Sequence, residues 1–179
     1  MIKIGYFTGS RAEYGLSKDL IRDINRNKDF QMIVYPLGLH FKKDFGNTIN
    51  EIKSDNIPIG NTIDSYKGLK DKKVFELTKS VEMVYDVLKN DLLDAVYIAG
   101  DRLEPYAVAL AAHFLRITVI HIGGGTITSG AVDNIYRYNI SNLSHIHFTT
   151  SKNNYKRLCK IPIIDNSKVF FCGATAIQQ

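Results

Sequence analysis

The chain has 179 residues, 45% of them hydrophobic and 23% charged, which is enough for one substantial core and fits a single domain spanning 1–179 better than two. No apolar run approaches the roughly 18 residues of a membrane span, and Met1-Ile2-Lys3-Ile4 enters a strand and not a signal helix, so the reading is a cytoplasmic protein with no membrane partner. The net charge of +5 invites an anionic partner, but the basic clusters Lys67/Lys70/Lys72/Lys73 and Lys152/Lys156/Arg157/Lys160 lack aromatic interleaving; they read as solvated faces, which favours a phosphate-bearing small molecule over nucleic acid.

Strand and helix alternate along the chain. Ile2 to Phe7 reads as a short buried strand, and Leu16, Leu20, Ile21 and Ile24 mark one face of an amphipathic helix. Gln31 to Leu37 is a strand. A helical stretch from about Phe45 to Ser54, a short Ile57-Pro58-Ile59 segment and a loop from Asn61 to Gly68 lead to the clearest helix, with Val74, Leu77, Val81, Val84 and Leu88 on one face and an end near Asn90. Asp94 to Ala99 is a strand without polar alternation, as expected when helices cover both faces.

Pro105 opens the next helix, where its missing N–H costs nothing, and Ala107, Leu110, Ala111 and Phe114 form its predicted buried stripe. Thr118 to Ile122, a helix from about Asp133 to Leu143, a strand from His145 to Thr149, a helix from Ser151 to about Leu158 and a strand from Val169 to Cys172 complete the series. Such alternation implies right-handed βαβ crossovers and a parallel sheet: an α/β, three-layer Rossmann-like domain with helices on both faces. Cys159 and Cys172 match no metal or redox spacing and read as core or incidental thiols.

Polar groups at the carboxyl ends of adjacent parallel strands face one crevice, where such sheets bind ligands. Two strand ends here are rich in chemistry. Tyr97-Ile98-Ala99 runs into Gly100-Asp101-Arg102-Leu103-Glu104, placing two carboxylates and a guanidinium within four residues. Carboxylates so close can titrate apart, one ionised and one held as an acid, as proton removal and delivery require. The same residues also fit a plainer role, with Glu104 favouring a helix N-terminus and Asp101 paired to Arg102.

The strand ending His121-Ile122 meets Gly123-Gly124-Gly125, bare backbone against which a ligand can lie. His121 shares its strand face with Val119 and reads equally as a core histidine. Asp133 and Arg137, four apart on one helix, suit either a site or an N-cap with an i,i+4 ion pair. His145 and His147 lie on one face of a strand but lack a third ligand, so no metal site is expected. Thr8-Gly9-Ser10-Arg11-Ala12-Glu13-Tyr14-Gly15, between the first strand and first helix, is a candidate diphosphate cradle or an ordinary βα turn.

Together, Thr8-Gly9-Ser10-Arg11-Ala12-Glu13-Tyr14-Gly15, Gly100-Asp101-Arg102-x-Glu104, His121-Ile122-x-Gly124-Gly125 and Asp133-x-x-x-Arg137-x-x-Ile140-x-x-Leu143-Ser144-His145 resemble the hydrolysing UDP-N-acetylglucosamine 2-epimerases of sialic-acid-type sugar biosynthesis. The resemblance implies the N-terminal half of a GT-B-like fold, with a UDP-sugar held in the cleft between two Rossmann-like halves. It implies that UDP leaves C1 by anti elimination and that water adds to the resulting glycal to release N-acetylmannosamine or a related sugar. By this likeness Asp101 and Asp133 are acid-base groups with Glu104 beside them, Arg11 contacts the diphosphate, and Arg102, His121, Gly123, Gly124 and Arg137 bind or orient substrate.

No metal or redox cofactor is implied. The resemblance also implies that the C-terminal domain is absent or is supplied by a companion chain, so that the isolated chain is inactive; a homo-oligomer is compatible with it. Members carry a glutamate at the position of Gly123 or of Thr126, and a histidine is usual at Tyr138. Two other readings stay open: a non-catalytic nucleotide-sugar-binding or regulatory domain, and the acceptor-side domain of a GT-B glycosyltransferase.

Overall fold

The computed structural model describes residues 1–42, 48–65 and 73–173. The predicted helix start at Phe45, the loop end at Gly68, and Lys67, Lys70 and Lys72 lie outside the described residues. Six strands, β1 (Ile2–Thr8), β2 (Phe30–Pro36), β3 (Ala95–Ala99), β4 (Thr118–Ile122), β5 (Ile146–Thr149) and β6 (Val169–Phe171), pair in parallel in the order β2-β1-β3-β4-β5-β6. Between them run α1 (Arg11–Arg26), α2 (Ile49–Ser54), α3 (Lys73–Asp91), α4 (Leu103–Phe114), α5 (Asp133–Leu143) and α6 (Lys152–Leu158). The expected α/β parallel fold is present.

The strand order decides which face each helix covers. The step from β1 to β2 moves one way across the sheet and every later step moves the other way, so right-handed crossovers put α1 on one face and α3 to α6 on the opposite face. Packing follows that division. Phe7, Tyr35, Val96, Ile98 and Val119 meet Val84 and Leu88 of α3, the Ala-rich side of α4 and Ile140 of α5. On the other face Ile4, Tyr6, Met32, Val34 and Tyr97 meet Tyr14 and Ile21 of α1 and Ile52 of α2.

Among the described residues, only α1 and α2 supply helices to this second face. A groove of about 440 Å³ lies open beside them, lined by Ile4, Leu20, Ile24, Phe30, Met32, Tyr97, Ile120, Ile122, Phe148, Cys172 and Gly173.

Three expectations are corrected in detail. Leu16 is 51% exposed, while the rest of its predicted stripe faces the sheet, Ile21 buried and Leu20 and Ile24 packed against that core; Glu13, Tyr14 and Ser17 complete the buried side of α1. Phe114 is 71% exposed, at the last turn of α4. That helix packs against both α3 and α5, so its buried residues Ala107, Val108, Ala109, Ala111 and Ala112 wrap more than one side; small side chains permit this close approach. His145 precedes β5, and its Nδ1 accepts the Val119 N–H at 3.1 Å, so it does not share a strand face with His147. No described helix is long and apolar enough to cross a membrane.

Candidate active site

The chain leaves β1 into α1 on one face and leaves β3 into α4 on the other, although β1 and β3 are neighbours. This is the topological switch at which the loops part and a crevice opens. A cavity of about 430 Å³ lies there, lined by Ser10, Ala12, Glu13 and Leu16 from one side, Ala99, Gly100, Asp101 and Arg102 from the other, and Ile122, Gly123, Thr126, Arg137 and Thr150 beyond.

Asp101 sits at the tip of β3 with its side chain 30% exposed, and Arg137 of α5, 8% exposed, donates from a terminal guanidinium nitrogen to its Oδ2. The other terminal nitrogen of Arg137 donates at 2.8 Å to both the Thr126 carbonyl and Asn134 Oδ1. A guanidinium with several acceptors is fixed in direction, so Asp101 is oriented while its Oδ1 has no partner among the described residues. The ion pairs suggested by sequence proximity are therefore replaced. Asp101 pairs with Arg137, 36 residues away, and not with Arg102; Arg102 Nε stands 3.8 Å from Glu104 Oε2.

Asp133 begins α5, but Val132 holds the N-cap position, and Asp133 is exposed with no ion pair to Arg137. It stands one turn before Arg137 and outside the residues lining the crevice.

Glu13 lines the other side, with Glu104 buried behind Gly9. Ser10 caps α1, its hydroxyl accepting the Glu13 N–H at 3.4 Å. The first turn then carries the Glu13 side chain back to accept the Gly9 N–H at 2.8 Å through Oε2. The carboxyl is buried and its Oε1 has no partner among the described residues. Burial lifts Glu13 to about 7, with Glu104 and Asp101 adding to the rise and the Gly9 N–H and Arg102 opposing it. Glu104 is 2% exposed, and its side chain packs against Gly9. The Gly9 N–H that a phosphate cradle would offer is thus taken. Arg11 points elsewhere, 72% exposed and bonded to Glu51 Oε2 at 2.9 Å.

The glycine run behaves as a bare surface. Gly123 has φ +83°, and a Cβ there would meet nothing within 4 Å, so it faces open space. Gly125 has φ +77°, and a Cβ would approach the Asn154 carbonyl oxygen to 2.5 Å; the turn can lie this close to α6 only as glycine. At Gly124 a Cβ would press on Ser141 Oγ and His121 Nδ1. His121 itself is 1% exposed on the α5 face, with its Nδ1 3.1 Å from Ser141 Oγ. Burial pushes it down to about 3, with His147 on the neighbouring strand adding to the shift, so it stays neutral and stands behind the glycines, outside the crevice lining.

Sequence reasoning passed over Glu13 as an ionisable group and missed His40. His40 follows β2, is buried between Thr8 Oγ1 at 3.2 Å and Thr48 Oγ1 at 2.7 Å, and is lowered to about 4 by burial. Its place just past the carboxyl end of a strand was the available signal. Among the described residues, no group of three or more His, Cys, Asp or Glu side chains is arranged to hold a metal ion.

An all-parallel sheet with charged groups gathered at its switch point defines a Rossmann-like α/β domain, of the kind that forms the first half of a GT-B fold. Residues 22–179 match the family model described as UDP-N-acetylglucosamine 2-epimerase, and the chain belongs to that family. It is 33% identical over 181 residues to UDP-N,N'-diacetylbacillosamine 2-epimerase (hydrolyzing) of Legionella pneumophila, covering 99% of this chain and 47% of the relative. It is 32% identical over 163 residues to polysialic acid biosynthesis protein P7 of Escherichia coli, covering 90% of this chain and 42% of the relative.

The solved structure of UDP-GlcNAc 2-epimerase from Neisseria meningitidis bound to UDP-GlcNAc superposes with a TM-score of 0.84 at 22% identity, over 99% of this chain and 48% of that one; this likeness carries the fold alone. The chain spans about half the length of the curated relatives it matches.

Proposed function

We propose that this chain is the first half of a hydrolysing UDP-sugar 2-epimerase, which releases UDP and a free 2-epimerised amino sugar through a glycal. The observation that carries the reading is Asp101, a strand-tip carboxylate oriented by Arg137 with its second oxygen unpartnered among the described residues beside the crevice. In the proposed reaction a carboxylate takes the C2 proton, C1=C2 forms, and the C1–O bond breaks with its electron pair leaving on UDP. Water then adds its oxygen to C1 and a proton returns to C2 from the opposite face. Cleavage builds positive charge at C1 and acidifies the C2 proton, so an oriented carboxylate is the appropriate base.

Arg137 is committed to Asp101 and acts by orienting it. Arg102, whose side chain is 42% exposed at the crevice, is placed to meet departing diphosphate. Gly123 gives the sugar a bare backbone to lie against. Arg11 and Asp133 stand exposed in the first turns of α1 and α5, and their proposed roles require the second domain to close over them.

With one wall only, charges act through water and lose most of their strength. The 179 residues alone should fold and produce no free sugar from UDP-N-acetylglucosamine or its diacetylbacillosamine counterpart. Mixed with the C-terminal half of a related enzyme, they should release UDP and the 2-epimeric sugar in equal amounts. Robust turnover by the chain alone, or none after a demonstrated complex forms, overturns the reading.

A further inference from the structure

We propose that Glu13 is a proton-linked positioning residue beneath the crevice, which must be neutral for a diphosphate-bearing ligand to bind; this rests on the nucleotide-sugar reading above. The case begins with geometry. Glu13 is 8% exposed, its Oε2 is committed to the Gly9 N–H, and its Oε1 has no partner among the described residues. Oε1 lies 3.0 Å from where a side chain on Gly100 would begin, so the carboxyl fills the room that Gly100 leaves between the ends of β1 and β3.

The groups facing it are mostly acidic. Glu104 of α4 and Asp101 of the β3–α4 loop raise its proton affinity; Arg102 of the same loop and the Gly9 N–H lower it. From β1 the Tyr6 hydroxyl donates to the Glu13 carbonyl at 2.8 Å and leaves the carboxyl unserved.

This arrangement has a consequence for an anionic ligand. A third acidic charge beside Glu104 and Asp101 would weaken the hold of the crevice on a diphosphate, since Arg137 is already spent on Asp101 and Arg102 is left as the lining guanidinium to oppose it. A proton on Glu13 removes that charge without disturbing the Gly9 contact. Ligand binding and Glu13 ionisation therefore oppose one another, and by linkage each shifts the other.

The test uses the 179-residue chain. With carboxyl-13C-glutamate labelling and the signal assigned by its loss in Glu13→Gln, Glu13 should titrate with a midpoint near 7, moving downward in Glu104→Gln. A midpoint in the ordinary carboxylate range overturns the proposal, and Glu104→Gln supplies the coupling test if Glu13→Gln does not fold. Binding of UDP-N-acetylglucosamine, whose diphosphate does not titrate near neutrality, is then followed by NMR from pH 6 to 8.5.

Affinity of the wild-type chain should fall roughly tenfold from pH 7 to 8.5, and Glu13→Gln should lose that slope whatever its absolute affinity. An equal slope in both chains overturns the proposal. A raised Glu13 midpoint with no binding by either chain, alone or completed with the C-terminal half of a related enzyme, rejects the nucleotide-sugar reading and the ligand linkage with it, while leaving the buried proton established.

Discussion

On the α5 side of the crevice a carboxylate, Asp101, is held by a guanidinium and left 30% exposed; on the α1 side Glu13 is buried, one oxygen is orphaned, and a second buried carboxylate lies close by. The contrast separates two ways of supplying an acidic group. An oriented and partly solvated carboxylate keeps one oxygen open toward the crevice, whereas a desolvated one is ready to keep its proton. Both arise from ordinary backbone geometry: a strand tip facing the next helix in the first case, a helix first turn folding back on its own βα loop in the second.

The sharpest way to break the comparison is Asp101→Asn in a protein completed with its C-terminal half. Turnover should fall about 10²-fold or more while UDP-sugar binding persists, because the amide keeps the shape and loses the base. Sugar release near the wild-type rate would remove Asp101 from the chemistry.

Arg137→Ala in the 179-residue chain attacks the same side through its support. Asp101 loses its partner, and the Thr126 carbonyl and Asn134 lose a donor. Denaturant unfolding should show a loss of about 2–4 kcal/mol; a change under 0.5 kcal/mol would mean that the pair does not hold the site.

Glu13→Gln probes the opposite side through stability. Glu13 ionises near the ordinary carboxylate value of 4.5 when unfolded and at about 7 when folded, so the unfolded chain loses its proton first and the native state loses stability as pH rises between those values. Relative to wild type, Glu13→Gln should gain nothing below pH 4.5 and up to about 3 kcal/mol by pH 8. A gain that is flat with pH would place the effect in packing.

The smallest effect belongs to Arg11→Ala. Its ion pair with Glu51 is exposed, so stability should move by less than about 1 kcal/mol. Its effect on UDP affinity in the completed protein then reports whether Arg11 turns inward when the second wall is present; unchanged affinity returns it to the surface.

Much of this was readable from residues alone. Apolar runs located the strands to within about a residue at most ends, and the carboxyl-end rule placed Asp101 and the glycine run at one crevice. The Asp101–Arg137 pair was hidden because it joins residues 36 apart, and local spacing offered Arg102 and Asp133 as nearer partners. Glu13 was hidden for another reason: its burial depends on Gly9 and Gly100 closing around it from two strands, which no single window of sequence contains. The uneven covering of the sheet required the strand order, and that order is set by which strands pair, not by their own composition.

That uneven covering bears on how a chain of this kind is made. Ile120, Ile122, Phe148 and Phe170 lie on the face that α1 and α2 leave open. In a relative about twice this length, synthesis at about 5–20 residues per second would leave the first half waiting on the order of ten to forty seconds before the rest of the chain emerges. Throughout that interval the sheet shows water an apolar surface able to attract its own kind. A ribosomal pause at the join would lengthen the window in which that surface stays open to other nascent chains.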